Sequence, residues 1–399
     1  MGPTDREPMP QAQERATYMT VSPDGGRDAI SRATEVSFDD QSITWSGEFP
    51  WVGSIAFATE EGWLRILRGQ GPSLGVRLSG LSDTINDVCF ATHPNLPLLA
   101  VSTRVEVTYY LWPNQDSNPV LTFRLDGGAH GVFQTIRGGI AATLGPGGLM
   151  IVNADRQHGY VTKILKPNAD AYFYRIAPLA CLDDGSELLA GAGRLGGLMS
   201  IVVGDGERLN TLGSFRGPSL DIVDVCSLRD HDNPFGAASL GIDCSVHLTR
   251  DLLGSAQPVT LRFSQVEGVG YSIHCVGGHI FMLTSQGLYA CPDLARRFAR
   301  GEELEGPSRV RHITLDAVHC SVAYHGLPEF ESPLLLIVSP PTASMLPVGQ
   351  VIPDAQARIA QANRSHQIGI DESMMISLIS RDRWDLTAPC EMEAVTLAI

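Results

Sequence analysis

The chain has 399 residues, 43% of them hydrophobic and 18% charged, which is ample material for a packed core and excludes a charge-swollen disordered polymer. Its 29 Lys and Arg against 44 Asp and Glu leave a net charge of −15, and lysine occurs only at Lys163 and Lys166. Binding to duplex nucleic acid needs a concentrated basic face, and no Lys/Arg run supplies one, so that class of partner is excluded.

In chain order, the opening MGPTDREPMPQAQERATYM has no apolar stretch between a basic start and a small-residue cleavage site, unlike a secretory signal. Pro3 and Arg6 depart from a myristoylation pattern. Rich in Pro, Gln and charge, residues 1–17 are predicted to be a flexible arm, with 18–399 as the folded unit. The next segments follow one plan: apolar strand, polar turn, small-residue strand, turn, alternating strand. The copies are SITWSGEFPWVGSIAFATEEGWLRIL from Ser42, TINDVCFATHPNLPLLAVSTRVEVTYYLW from Thr84, VFQTIRGGIAATLGPGGLMIVN from Val132 and FYRIAPLACLDDGSELLAGAGRLGGLMSIVV from Phe173. DIVDVCSLRDHDNPFGAASLGIDCSVHLTRD from Asp221, YSIHCVGGHIFMLTSQGLYAC from Tyr271 and the looser LDAVHCSVAYHGLPEFESPLLLIVS from Leu315 complete the set. Beyond them, DAQARIAQANR, within 353–367, is predicted to be a short surface helix in an insertion, and SMMISLISRDRWDLT from Ser373 supplies further strands.

The small-residue strands are anchored by Ala56, Ala100, Ala142, Ala190, Ala238, Met282 and Ile337, at steps of roughly 42–55 residues. A four-stranded sheet with three short turns has that length, and propeller blades repeat at about 40–45 residues before loop insertions. Two-residue alternation, Gly/Asp/Asn/Pro punctuation and no sustained 3.6-residue period all indicate β structure. The predicted fold is therefore all-β: a single β-propeller of seven four-stranded blades, with eight as the alternative. The blades fall at about 35–80, 81–126, 127–168, 169–217, 218–265, 266–314 and 315–399, the last carrying an insertion over 340–372. A strand from one terminus must pair with the sheet begun at the other, and Tyr18–Ser22, Glu35–Phe38 and Glu391–Ala398 are the candidates.

Ile85-x-x-Val88-x-Phe90, His93-Pro94, Leu99-Ala100-x-Ser102, Ala238-Ser239 through Asp243, Val246-x-Leu248 and Asp251 resemble the WD40-type β-propeller pattern. The resemblance covers roughly residues 34–348. It departs from the pattern in having no Gly-His pair at the repeat starts and one Trp-Asp dipeptide, Trp384-Asp385, outside the clearest repeats.

Two enzyme-like motifs sit in the wrong context. Gly71-Pro72-Ser73-Leu74-Gly75 spells a nucleophile elbow, but strand-like sequence flanks it on both sides. Gly191 to Gly196 spells a dinucleotide fingerprint, but strand rather than helix follows. No catalytic set converges in the sequence. The eight cysteines contain no C-x-x-C pair and the histidines have no metal-ligand spacing, so reduced thiols, no metal, no cofactor and a cytoplasmic location are expected. The longest apolar runs, such as LLLIV at 334–338, are far too short for a bilayer, so no membrane partner is expected.

Asp87 and Asp224 share one repeat position, with Thr135, Arg175, Ser272 and Ala317 assigned as equivalents. The resemblance implies that this position opens onto the narrow mouth of the channel, where partners dock. The candidate partner-binding set is thus Asp87, Thr135, Tyr174, Arg175, Asp224 and Ser272, Tyr and Arg being enriched in binding hot spots. His274 and His319, each before a cysteine in consecutive innermost strands, form a candidate channel pair. The expected function is a non-catalytic protein-interaction module, a scaffold or regulatory subunit of a multi-protein, bacterial system whose partner is another protein. The alternatives are a propeller hydrolase or lyase using carboxylates and histidines at the mouth, and a sensor of a small ligand or nucleotide.

Overall fold

In a computed structural model of the protein, the described residues are 13–23, 29–38, 41–49, 54–68, 74–90, 98–111, 118–124, 130–136, 139–145, 148–155, 159–165, 173–193, 197–203, 209–216, 221–228, 235–254, 258–304, 310–324, 327 and 333–352. A hairpin of β1 (Gln13–Pro23) and β2 (Ala29–Ser37) precedes a series of antiparallel meanders. These are β3 (Ile43–Glu48), β4 (Ser54–Thr59), β5 (Trp63–Arg68) and β6 (Leu74–Arg77); then β7 (Asp87–Phe90), β8 (Leu98–Ser102), β9 (Glu106–Leu111) and β10 (Pro119–Arg124). Next come β11 (Gly131–Gln134), β12 (Ile140–Thr143), β13 (Leu149–Asp155) and β14 (Gly159–Leu165), then β15 (Phe173–Cys181), β16 (Glu187–Gly193), β17 (Gly197–Val203) and β18 (Leu209–Arg216). They are followed by β19 (Ile222–Ser227), β20 (Ala237–Gly241), β21 (Val246–Thr249) and β22 (Val259–Leu261), then β23 (Gly270–Val276), β24 (His279–Thr284) and β25 (Gly287–Cys291). After helix α1 (Leu294–Ala299) the chain adds β26 (Arg311–Ile313), β27 (His319–Ala323), β28 (Leu334–Ser339) and β29 (Thr342–Pro347), and α2 (Val348–Val351) ends the described chain.

The second strand of each meander explains why these segments read as small and apolar. SIAFAT, LLAVS, IAAT, ELLAGAG, AASLG and HIFMLT are buried at every residue, because both faces of each sheet are covered by neighbouring sheets. The period of two then divides one strand between two cores. On β8, Leu99 and Val101 pack with Trp45, Ala56 and Leu64 on one side. Leu98 and Ala100 pack with Val132, Ile140 and Ala142 on the other. The outermost strands β10 and β22 are largely exposed. Val36, Phe38, Leu336, Val338 and Met345 pack on Ile43, Ile55 and Phe57, joining the last repeat to the first. The innermost strands β3, β7, β11, β15, β19, β23 and β27 lie each beside the next, with β27 beside β3.

The all-β propeller expectation holds, but its count of seven or eight separate four-stranded blades is corrected. The described strands hydrogen-bond into six sheets: five of four strands, and one of nine in the order β23-β24-β25-β26-β1-β2-β29-β28-β27. The cause is the amino-terminal hairpin. β2 pairs with β29 through Thr34–Met345, Glu35–Ser344 and Val36–Ala343. β1 pairs with the edge of β26 through Val21–Ile313 and Ser22–His312, fusing the repeats over 266–314 and 315–399 into a single sheet with an innermost strand at each end.

Of the three closing candidates, Glu35 lies in the strand that closes the last repeat, Tyr18–Ser22 lies in β1, and residues 391–398 are outside the described residues. Since β1 starts at Gln13, the segment expected as an arm over 1–17 is strand in its last five residues. Pro340 and Pro341 form the β28–β29 turn, so the insertion expected from residue 340 does not begin there. The helix and strands expected over 353–387 lie outside the described residues. Helix α1 was not anticipated; Leu294, Ala295 and Phe298 bury its apolar side against β24 and β25.

Candidate functional site: the channel mouth

One structural position recurs at the start of every innermost strand. Asp87, Gly131 and His319 are the first residues of β7, β11 and β27. Trp45, Arg175, Asp224 and Ser272 each follow a β-bulge near the start of β3, β15, β19 and β23. These seven positions form a collar inside the channel, and the side chains of Trp45, Asp87, Arg175, Asp224 and His319 bond across to other inner strands. Trp45 donates its indole Nε1–H to Asp87 Oδ1 at 3.0 Å. The other oxygen of Asp87 accepts the backbone N–H of Val132 at 3.1 Å and an Arg175 guanidinium N–H. The backbone N–H of Ile273 donates to Asp224 Oδ2 at 2.8 Å. His274, two residues into β23 from Ser272, donates Nε2–H to the carbonyl of Cys320 at 2.9 Å. His319 does the same to the carbonyl of Ser46 at 3.0 Å. Since a carbonyl can only accept, both rings carry the proton on Nε2.

Gly131 is what lets Arg175 on β15 reach Asp87 on β7, two strands away. A Cβ on Gly131 would stand 2.6 Å from Arg175 Nη1 and 3.3 Å from Asp87 Oδ2, so the guanidinium occupies the volume a side chain would take. The Asp87 side chain keeps 11% of its surface exposed and Arg175 33%, so the pair lines the channel rather than reaching out of it.

The collar's electrostatics follow from its seclusion. Asp87 raises the Arg175 guanidinium above its ordinary value against the opposing effect of burial, and Asp224 adds to the rise. Burial pushes the Asp224 carboxyl up, with Arg175 and His274 pulling it back. Burial pulls His274 down, and pulls His319 down to about 4. Near neutral pH both imidazoles are therefore uncharged and act as hydrogen-bonding spacers. No group of three metal-ligating side chains occurs among the described residues.

The sequence expectations divide at this point. Asp87, Arg175, Asp224 and Ser272 do share one position, and His274 and His319 do lie on adjacent inner strands. Arg175, Asp224, His274 and His319 each have their ionisation shifted by charged neighbours within this set. Thr135 does not belong with them. It follows the far end of β11, where its backbone N–H bonds Gly139 and its Oγ1 accepts the N–H of Gly139 in the β11–β12 turn. Gly131 holds its expected place, and Ala317 is a core residue whose place is held by His319. His274 and His319 are offset by two residues rather than equivalent.

The position expected to open onto the channel mouth lines the channel, with Asp87 and Arg175 partly exposed there. The rim is the residue before it on each strand: Thr44, Asn86, His130, Tyr174, Val223, Tyr271 and Val318. His130 and Tyr174, on neighbouring strands, meet edge to face at 5.3 Å between ring centroids, and burial and Arg175 lower the His130 ionisation. Tyr271, the bulged residue of β23, is 42% exposed and Val318 56%. Val269 and Ile242 extend this exposed apolar stretch at 45% and 38%, and the N–H of Gly270 bonds the carbonyl of Ile242 at 3.1 Å. Sequence reasoning missed Tyr271, Val318, Val269 and Ile242. The available signal was their place beside, rather than at, the alternating polar position.

Of the two enzyme-like motifs, Gly191 and Gly193 lie inside strand β16 and Leu74 and Gly75 in strand β6, while residues 71–73 and 194–196 lie outside the described residues. No helix among the described residues is long and apolar enough to cross a membrane.

No family model and no curated protein sequence matches the chain. Solved structures do. The WD40 beta propeller domain of Doa1 aligns over 84% of this chain and 98% of its own length, with a TM-score of 0.55 and 13% identity. The beta-propeller domain of Cps50 (Swd1) from Myceliophteria thermophila aligns over 78% and 98%, with a TM-score of 0.53 and 14% identity. At such identities the likeness concerns architecture, and together with the ring of inner strands it identifies the fold as that of a WD40-type β-propeller.

Proposed function

We propose that the protein is a non-catalytic interaction platform that binds another protein through the end of the propeller where the innermost strands begin. The observation that carries this reading is the pair Tyr271 and Val318 on the successive inner strands β23 and β27, 42% and 56% exposed, with the half-buried Tyr174 at the same end. An aromatic and aliphatic row on a rigid rim suits a partner's apolar anchors. WD40 propellers commonly serve as protein-binding scaffolds, and this supports the same reading. Catalysis at the mouth is less well supported. The converging histidines donate to backbone carbonyls, and Asp87 already accepts from Trp45, Val132 and Arg175, so these groups hold strands together.

The test is capture of a stoichiometric partner from an extract of the source organism by the full chain, set against Tyr271→Asp and Val318→Asp. Both sites are exposed, so melting temperatures should stay within about a degree or two of the parent, surface changes costing about 0.5 kcal/mol or less. Loss of the partner from both variants supports the platform. A partner retained equally by both, or none captured by the parent, overturns it. Asp87→Arg or Arg175→Glu would be poor probes, since either breaks the collar.

A further inference from the structure

The rim's apolar stretch is not evenly surrounded by charge. In a four-stranded antiparallel meander the first strand's start and the turn between strands two and three lie at one end, so the rim shares its face with the β4–β5, β20–β21, β24–β25 and β28–β29 turns. Around this face, from β20 through β23 and β27 to β4, apolar and acidic residues alternate. Ile242 adjoins Asp243, Val269 follows Glu267 by two residues and Val318 follows Asp316 by two. Glu60 and Glu61 then form the exposed β4–β5 turn, anchored at this end by the Glu60 N–H to the carbonyl of Ser42 at 3.0 Å. Glu267, Asp316, Glu60 and Glu61 are all exposed. Among the described residues, Arg262 neutralises Asp243 within the arc, while the other basic side chains of this end sit elsewhere: Arg175 is inside the channel on Asp87, Arg77 and Arg124 end the outermost strands β6 and β10, and Arg104 lies in the β8–β9 turn.

Resting on the platform reading above, we infer that the occupant of this arc is a segment of another protein that carries apolar anchors flanked by lysine or arginine. The apolar residues set where its anchors seat, and the exposed acids Glu267, Asp316, Glu60 and Glu61 set the sign of its flanks. A second copy of this chain is disfavoured by charge, since each copy carries −15. The chain's own ends are disfavoured too. Both 1–12 and 353–399 hold more acidic than basic residues, and the described chain ends at Ile352 beside the start of β28, at the opposite end of the sheet, where the Val348 N–H bonds the carbonyl of Pro333.

The test is selection of displayed random dodecapeptides on the full chain, followed by affinity measurement of the enriched peptides on three chains: the parent, Glu267→Lys/Asp316→Lys and Tyr271→Ser/Val318→Ser. The expected peptides combine an aromatic or branched aliphatic residue with neighbouring Lys or Arg. Their affinity should fall about tenfold on each double variant and weaken as salt is raised. Exchanging their basic residues for Glu should abolish binding to the parent and restore it on the Glu267→Lys/Asp316→Lys chain. Peptides sensitive to Tyr271→Ser/Val318→Ser but without basic bias or salt dependence overturn this inference and leave the platform standing. Enrichment indifferent to both variants, or no enrichment, overturns both. Concentration-dependent dimerisation of the parent that Tyr271→Ser/Val318→Ser removes assigns the arc to a second copy and overturns the inference as well. The salt series on the parent chain decides the charge question even if a variant fails to fold.

Discussion

His319 shows how a single residue in the collar can tie stability to pH. Its imidazole donates to the Ser46 carbonyl from a secluded channel, and burial lowers its proton affinity from 6.5 to about 4. Between those values the folded chain binds fewer protons at this site than the unfolded chain does. Stability from His319 is thus complete above about 6.5 and is lost as pH falls towards about 4. His274 acts in the same direction. Asp224 acts in the opposite one: its raised folded value favours the native state at low pH, and that contribution fades as pH rises through the folded value. In a melting series, His319→Gln keeps an N–H donor without the titration. The parent's melting temperature should therefore fall more steeply than the variant's between pH 6.5 and 4, and parallel curves would refute this account. At this scale the sequence was legible in part. Asp87, Arg175 and Asp224 stood out as polar residues beside an apolar repeat position, and they converge. Thr135 was misplaced because GVFQTIRGG offers two polar exits from one short strand, and only the pairing of Gly131 with Thr143 shows which end faces the mouth.

At the scale of elements, neighbouring sheets approach so closely that some strand positions admit no side chain. Gly270 starts β23 against β20, and a Cβ there would stand 2.6 Å from the Gly241 carbonyl oxygen and 3.0 Å from the Leu240 side chain. Gly270→Ala should therefore destabilise the fold by about 1–3 kcal/mol in chemical denaturation, as overpacking does. An unchanged midpoint would show that the two sheets can part at little cost. The strands themselves were readable because alternation sends neighbouring residues into different cores, and because doubly covered strands such as LLAVS and AASLG lose alternation altogether. The bulges were not readable. An extra residue before Ser272 turns Tyr271 out to solvent, and neither its side chain nor its neighbours announce the insertion.

For the molecule as a whole, closure depends on β2, a strand from the start of the chain that completes the sheet at its end. Val36 is fully buried there, among Ile55, Phe57, Leu336 and Val338. Val36→Asp would put a carboxylate into that closing core and should cost several kcal/mol, enough to lower the melting temperature sharply or prevent folding. Val120→Asp, on the exposed face of β10, should cost about 0.5 kcal/mol or less. Equal effects of the two would mean that the ring tolerates opening at β2. By itself the sequence determined the repeating β unit, the alternation that feeds two cores from one strand, and the collar residues Asp87, Arg175, Asp224 and Ser272, because these follow from local periodicity. The tertiary structure alone decided that β1 welds two repeats into one sheet, that the collar faces inward, and that its outward neighbours form the rim. Those outcomes depend on strand register and on contacts between residues far apart in the chain, which local pattern does not encode.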